Sequence, residues 1–254
     1  MITPRNTPAI TRRGLIGAGA GLLVAGCDRV DDLPEVRDGL AELGGVHQRV
    51  QRLLGRNALA REYGAGAMSP MFRTNGNTEA GDPAWRQHLA EGFSRWALQV
   101  GGLVHRPLAL PLSALQAMPQ RTQITRHDCV EGWSAIGKWQ GPRLGPILAT
   151  AGLMPAARYA VFHCADDFGG DPYYESIDLI DAFHPQTILA WKMNDAPLQA
   201  QHGAPVRLRV ERQLGYKQAK YVMRIELREN LAGLYGGKGG YWEDAAGYQW
   251  YAGI

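Results

Sequence analysis

From about residue 85 onward the chain has no long apolar segment. It is written in short apolar runs, each closed by glycine, proline or a polar cluster. Runs of about four to eight residues are the length of strands rather than of long helices. Trp96-Ala97-Leu98-Gln99-Val100 predicts a strand, with Gly101-Gly102 as the turn after it. Tyr159 to Cys164 predicts another, and Ile188 to Trp191 a buried one. Pro205 to Val210 and Val222 to Leu227 alternate apolar and polar residues, as half-buried strands do. Arg121 to Thr125 predicts a strand running into Cys129. Leu108 to Met118 reads as a short helix, and Ser176 to Phe183 as helical or mixed. With 32 glycines and 15 prolines to make turns, the pattern predicts one mixed α+β domain rich in loops.

The N-terminus is an address rather than part of that domain. Arg12-Arg13 precedes an uncharged run from Gly14 to Gly26, which ends Leu23-Val24-Ala25-Gly26-Cys27. Positive residues, a short apolar stretch and small residues are the layout of an export signal. The run is shorter than the roughly 20 residues of a spanning helix. The paired arginines point to the twin-arginine route. The ending resembles a bacterial lipobox, which makes Cys27 the lipidation residue and residues 1–27 a removable leader. The mature protein is then expected in the periplasm, held to a membrane by lipid chains. Residues 28–64 carry Leu33, Val36, Leu40, Leu43, Val46, Val50 and Leu53 at helical spacing and predict a helical tether. The compact domain is expected over 65–254.

Charge excludes one class of partner. The leader holds Arg5, Arg12 and Arg13 and no acidic residue, so without it 24 of the 27 Lys and Arg face 24 Asp and Glu. A neutral mature chain argues against a nucleic-acid partner. Beyond Cys27 only Cys129 and Cys164 remain. A disulfide between them is possible in an oxidising compartment. No haem-attachment motif or zinc-type spacing occurs.

The chemistry concentrates in Arg126-His127-Asp128-Cys129-Val130-Glu131-Gly132-Trp133-Ser134. It sets a cysteine at a strand end, in a polar loop backed by an aromatic residue. A thiolate is a soft metal ligand, and the adjacent Arg126 and His127 are expected to lower the thiol pKa. Read from the residues alone, Cys129 is equally at home as a small buried hydrophobe.

The segment resembles the C-V-E-x-W-S motif of the sulfite oxidase superfamily, and most of all its bacterial molybdopterin-dependent branch of periplasmic methionine-sulfoxide reductase catalytic subunits. Two more segments follow in the family's order: His202-Gly203-Ala204-Pro205-Val206-Arg207 and Gly215-Tyr216-Lys217-Gln218-Ala219-Lys220. Phe72-Arg73-Thr74-Asn75-Gly76 is similar, more loosely, to the family's N-terminal cofactor loop. The resemblance covers roughly residues 65–254. It implies a mixed α/β fold of the sulfite oxidase type, with no C-terminal dimerisation domain. It implies a molybdenum–molybdopterin cofactor, without haem or an iron–sulfur cluster. Cys129 would be the metal ligand. Arg73, Asn75, His202, Arg207, Gln218, Ala219 and Lys220 would hold the pterin. Cys164 stands where the reductase branch has a cofactor-contacting threonine, a departure that leaves its role open. Gly170-Asp171-Pro172-Tyr173-Tyr174 resembles the stretch with an active-site tyrosine, so Tyr173 is assigned above the metal, with Tyr174 as the alternative. Asp166, Asp167 and Asp171 make that region an acidic loop, read as a partner surface.

The implied reaction is two-electron oxygen-atom transfer on a small S- or N-oxide, with sulfoxide reduction suggested and sulfite oxidation by the same site the alternative. An external electron-transfer partner follows, a b-type or c-type cytochrome. Two readings from other classes stand beside it. One is a Cys-dependent hydrolase with Cys129 as nucleophile and His163 or His202 as base. The other is a non-catalytic lipoprotein that binds a ligand.

Overall fold

The short runs pair as edges and centres of three sheets in the computed structural model, which describes residues 45–53 and 55–254. The export signal, Cys27 and the helical spacing over 28–44 lie outside the described residues. Residues 45–53 are helical, but by Glu62 the chain is extended and bridges Thr125. The compact unit runs Gln51–Ile254. No helix among the described residues is long and apolar enough to cross a membrane.

Helix α1 is Pro83–Ala90. It starts where Asp82 accepts a hydrogen bond from Ala84 N at 2.7 Å and Pro83 takes the first position. This is the arrangement that satisfies a helix N-terminus at least cost. Its one buried residue, Trp85, donates its indole N–H to the Ala204 carbonyl at 2.9 Å. Strands β1 (Ala97–Gly102) and β2 (Leu108–Pro111) precede helix α2 (Leu112–Ala117). The expected helix over 108–118 is therefore half strand, because Leu108 to Pro111 finds an antiparallel partner in β1. The expected turn at Gly101-Gly102 is also strand. Both glycines pair with Glu226 and Leu227, and Gly102, at φ 78°, ends the ladder.

Strands β3 (Gln120–Asp128) and β4 (Ser134–Pro142) form a long hairpin, followed by α3 (Leu144–Ala151). Strands β5 (Tyr159–Phe168) and β6 (Asp171–Asp178) form a second hairpin, closed by the four-residue helix α4 (Leu179–Ala182). Strands β7 (Ile188–Ala190), β8 (Lys192–Met193), β9 (Ala196–Pro197), β10 (Arg207–Arg209) and β11 (Val222–Arg228) complete the sheets, and α5 (Tyr241–Ala246) follows. The main sheet has the order β2-β1-β11-β5-β6, with β1 and β11 parallel and the other pairs antiparallel. A four-stranded sheet, β3-β4-β8-β9, and the pair β10-β7 lie beside it.

The core fills from Trp85, Trp96, Leu98, Phe162, Leu189, Leu208 and Ile225, all essentially inaccessible to water. Each such side chain contributes about 1.5–3 kcal/mol by leaving water. One expectation fails here for a physical reason. The stretch from Pro205 was read as half-buried because its alternate residues are charged, yet all of β10 is buried. Arg207 and Arg209 stack over Trp139, with guanidinium carbons 5.1 and 4.2 Å from its ring centre. Arg209 also donates to both oxygens of Glu211, at 2.9 and 2.5 Å. A charge that gains such partners can leave water.

Candidate active site

Two hairpins and one irregular segment converge on a cleft of about 640 Å³, its open mouth included. The β3–β4 hairpin brings Cys129. Strand pairing continues to Asp128 and Ser134, so Cys129 to Trp133 must turn the chain back. The turn is locked by Cys129 N–H to the Trp133 carbonyl at 2.9 Å and Gly132 N–H to the Cys129 carbonyl at 3.0 Å. Asp128 closes its base by accepting from Ser134 Oγ and from Arg126 Nε at 2.9 Å. Behind it Phe72 packs on His127, Trp133, Trp139 and His202, with ring centres 5.3 to 6.2 Å apart.

The electrostatics of this turn correct an expectation. Arg126 is spent on Asp128 and is exposed. His127 is fully buried, and its Nδ1 accepts from Arg209 at 3.0 Å. Burial, and then the charges of Arg209 and Arg207, hold it well below the usual histidine range, so it is neutral. Neither neighbour brings positive charge to the thiol. Burial pushes the Cys129 thiol up, and the backbone N–H of Glu131 pulls the other way. Among the described residues Cys129 and Cys164 are both free thiols.

The second wall is residues 215–221, whose backbone passes so close to His127 that a Cβ on Gly215 would lie 2.5 Å from Nε2. This wall gives the cleft Tyr216, Gln218 and Lys220. Lys220 Nζ donates to the carbonyls of Asn77 and, at 3.1 Å, Gln201. Lys217, in the same motif, does not reach the cleft. Instead it is wholly buried and donates to Glu175 and, at 2.6 Å, to Glu243. The β5–β6 hairpin gives Asp166, Phe168 and Tyr173, and the C-terminal segment gives Trp242 and Tyr248. Successive side chains on a strand face opposite ways, and this separates the two tyrosines. Tyr173 lines the cleft and donates to the Tyr216 carbonyl at 2.6 Å. Tyr174 packs with Val161 and Leu234 and donates to Asp244.

Of the expected residues the cleft thus unites Asn75, Cys129, Tyr173, Gln218 and Lys220. Arg207 and His202 lie just behind its wall. Arg207 donates to the His202 carbonyl at 3.1 Å and the Gln218 carbonyl at 3.3 Å. Ala219 is buried beneath Gln218, and its carbonyl accepts from Leu208 N–H at 2.8 Å. Cys164 packs against the core, with burial holding its thiol well above the usual range. Arg73 is exposed and does not line the cleft. Asp166, expected in an acidic surface loop, is buried. Asn77, Asp166, Tyr216, Trp242 and Tyr248 escaped the sequence reading. Asp166 was detectable, since it stands two residues beyond Cys164 on one strand.

The site has buried polar atoms left for a cofactor to bond. Buried polar groups are normally hydrogen-bonded. Here Asn75 Oδ1, Asp166 Oδ1, Gln218 Oε1, His202 Nδ1 and Arg207 Nε are buried without a partner. Arg207 and Lys220 are buried cations held by neutral carbonyls, with no ion pair among the described residues. Burial, then the Arg209 charge, brings Arg207 down to about 9, and burial, then the Arg207 charge, brings Lys220 to about 7. A phosphate-bearing, hydrogen-bonding group beside a thiol fits this donor set. Among the described residues no imidazole bonds the Cys129 thiol. His163 Nε2 pairs with Glu226 at 2.8 Å, and burial leaves His202 neutral, at about 4.

The chain belongs to the oxidoreductase molybdopterin binding domain family, which matches residues 86–233. The family match makes the chain an oxidoreductase of the molybdopterin class. A protein of Azospira oryzae named as the protein-methionine-sulfoxide reductase subunit YedZ1 is 38% identical over 246 residues, 96% of this chain and 87% of that one. The protein-methionine-sulfoxide reductase catalytic subunit MsrP of Xanthomonas axonopodis pv. citri is 34% identical over 150 residues. That match spans 55% of this chain and 47% of the relative. The sulfane dehydrogenase SoxCD of Paracoccus pantotrophus aligns with TM-score 0.49 and 22% identity, over 54% of this chain and 39% of that one.

Proposed function

We propose that the chain is the catalytic subunit of a periplasmic reductase that removes the oxygen from a dialkyl sulfoxide, with methionine sulfoxide the expected substrate. The observation that carries this is one cleft joining a free thiol, Cys129, to buried polar atoms that lack partners. The names of the Azospira and Xanthomonas relatives support the sulfoxide.

When bound, the molybdenum–molybdopterin group supplies two-electron oxygen-atom exchange. Cys129 is the protein's ligand to the metal, and a coordinating thiol sheds its proton, which offsets the upward push of burial. Asn75 and Gln218 offer acceptor oxygens to the pterin. Lys220 and Arg207 supply positive charge, and His202 a second nitrogen. Arg73, being exposed, is left with no more than the entrance to guard. Tyr173 cannot serve as a ready proton donor, because burial pushes its hydroxyl well above the usual range. With its hydroxyl held by the Tyr216 carbonyl, its part is to shape the substrate's approach with its ring. Phe168, Trp242 and Tyr248 give the cleft an apolar aromatic side. The alkyl groups of a dialkyl sulfoxide, and the thioether sulfur of its product, pack well on aromatic rings, whereas the sulfite ion brings no apolar surface.

Electrons arrive singly from a cytochrome partner subunit. The twin-arginine leader and Cys27 put the enzyme on the outer side of the membrane on a lipid anchor, with residues 28–50 as its tether, since residues 51–64, expected in that tether, belong to the compact unit. The test is turnover of methionine sulfoxide, other S- and N-oxides and sulfite by the exported protein, with a one-electron dye as donor or acceptor. Reduction of dialkyl sulfoxides is expected. Oxidation of sulfite with no sulfoxide turnover would overturn the assignment of direction and substrate.

A further inference from the structure

Asp166 is the one side chain in the cleft that is acidic, buried and incompletely bonded. It is 4% exposed. It sits where the β5–β6 register shifts between His163 and Asp167, an irregularity that re-aims side chains. Its Oδ2 accepts from Asn77 Nδ2 at 3.2 Å, its Oδ1 is buried without a partner, and the residue lines the cleft. No ion pair neutralises it among the described residues. An unpartnered buried carboxyl is costly unless it is protonated or meets a donor from a ligand.

We propose that Asp166 is the acid that protonates the oxygen leaving the substrate. This rests on the oxide-reduction reading above. Reduction of a sulfoxide breaks the sulfur–oxygen bond and yields sulfide and water. It consumes two electrons, from the external one-electron carrier acting twice, and two protons. Asp166 supplies one proton at the released oxygen and regains it from solvent through the cleft mouth. The second proton comes from solvent.

The other cleft groups suit this step less well. Glu131 is exposed and accepts from the Trp133 indole at 2.9 Å. Tyr173 spends its hydroxyl on the Tyr216 carbonyl. Lys220 spends its ammonium on two backbone carbonyls. The titratable groups facing Asp166 are Asp167 and Cys164 from its own strand, Tyr173 from β6, and Lys220 and Tyr221 from the segment before β11. Burial raises the Asp166 carboxyl to about 6, with Asn77 and then the Lys220 charge opposing it. An acid tuned near the working pH is the efficient one.

The test compares wild type, Asp166→Asn and Asp166→Glu in three readouts: molybdenum content, the pH profile of sulfoxide turnover, and the carboxyl band in infrared titration. The expected result is unchanged molybdenum in Asp166→Asn, with kcat down by roughly 10²-fold or more. The profile of Asp166→Asn should lose the limb that wild type displays near the Asp166 pKa, and Asp166→Glu should restore part of the rate. The infrared band should titrate near that limb in wild type and be missing in Asp166→Asn. Wild-type kcat and an intact limb in Asp166→Asn would overturn the proposal. So would loss of molybdenum in that variant, which would make Asp166 a cofactor anchor. If wild type holds molybdenum but reduces no oxide, the functional reading fails. The infrared titration then decides separately whether Asp166 carries an exchangeable proton.

Discussion

Lys217→Met tests how the cleft wall is held. Lys217 is inaccessible to water, as are its partners Glu175 and Glu243. Its ammonium also lies 5.4 Å from the Trp250 ring centre. Methionine keeps the length and apolar stem and removes two charge-assisted hydrogen bonds, each worth about 1.5–3 kcal/mol. The two carboxyls are then left facing each other, and breaking a buried pair from one side costs about 3–5 kcal/mol. Burial, then the Glu243 charge, holds the Glu175 carboxyl well above the usual range, and Lys217 opposes that rise. A carboxyl whose folded pKa is raised stabilises the fold below its unfolded pKa and loses that contribution as pH climbs through the folded value. Removing Lys217 pushes the carboxyl higher still. The loss should therefore be full at about pH 8 and smaller at about pH 5, by about 1.4 kcal/mol for each unit over which the Glu175 carboxyl stays protonated. Urea unfolding followed by tryptophan fluorescence at both pH values measures this. A loss under about 1 kcal/mol, or one equal at the two pH values, would refute the reasoning. The variant should also hold its cofactor less tightly, because Lys217 fixes the segment that carries Tyr216, Gln218 and Lys220.

Two further outcomes follow from the same geometry. Arg207→Met should fold with a loss smaller than that of a broken ion pair, since Arg207 bonds only neutral carbonyls. It should nonetheless lose most of its bound pterin, measured as fluorescence after oxidative release. Gly141→Ala should be severely destabilised, because its Cβ would lie 2.0 Å from the Leu189 carbonyl oxygen and 2.6 Å from the carbon. Both are backbone atoms that cannot yield cheaply, so a cost at or above the overpacking range of about 1–3 kcal/mol is expected in thermal unfolding.

The position of Cys129 at a strand end was legible because the run from Arg121 to Thr125 leads into it, while the hairpin that it caps was not. Strand β5 was legible as a short apolar run, whereas Tyr173 came only from the resemblance, which left Tyr174 as the alternative. Strand β4 was missed because Lys138, Gln140 and two glycines dilute its apolar face. Helix α3 was missed because, among its eight residues, five are buried and no polar stripe marks an outer face. The charges of Arg207, Arg209, Lys217 and Asp166 read as solvent-facing in a linear sequence. Only the fold brings Glu211, Trp139, Glu175, Glu243 and Asn77 to them. Trp242 and Tyr248 reach the cleft across long sequence separations that periodicity does not register.

The central claim is that Cys129 ligates molybdenum in this cleft. X-ray absorption at the molybdenum edge, on exported wild type and Cys129→Ser from a cofactor-competent host, tests it most directly. The account predicts equimolar molybdenum in wild type, and one sulfur neighbour fewer around the metal in the variant. Wild type free of molybdenum, or identical sulfur shells in the two proteins, would contradict it.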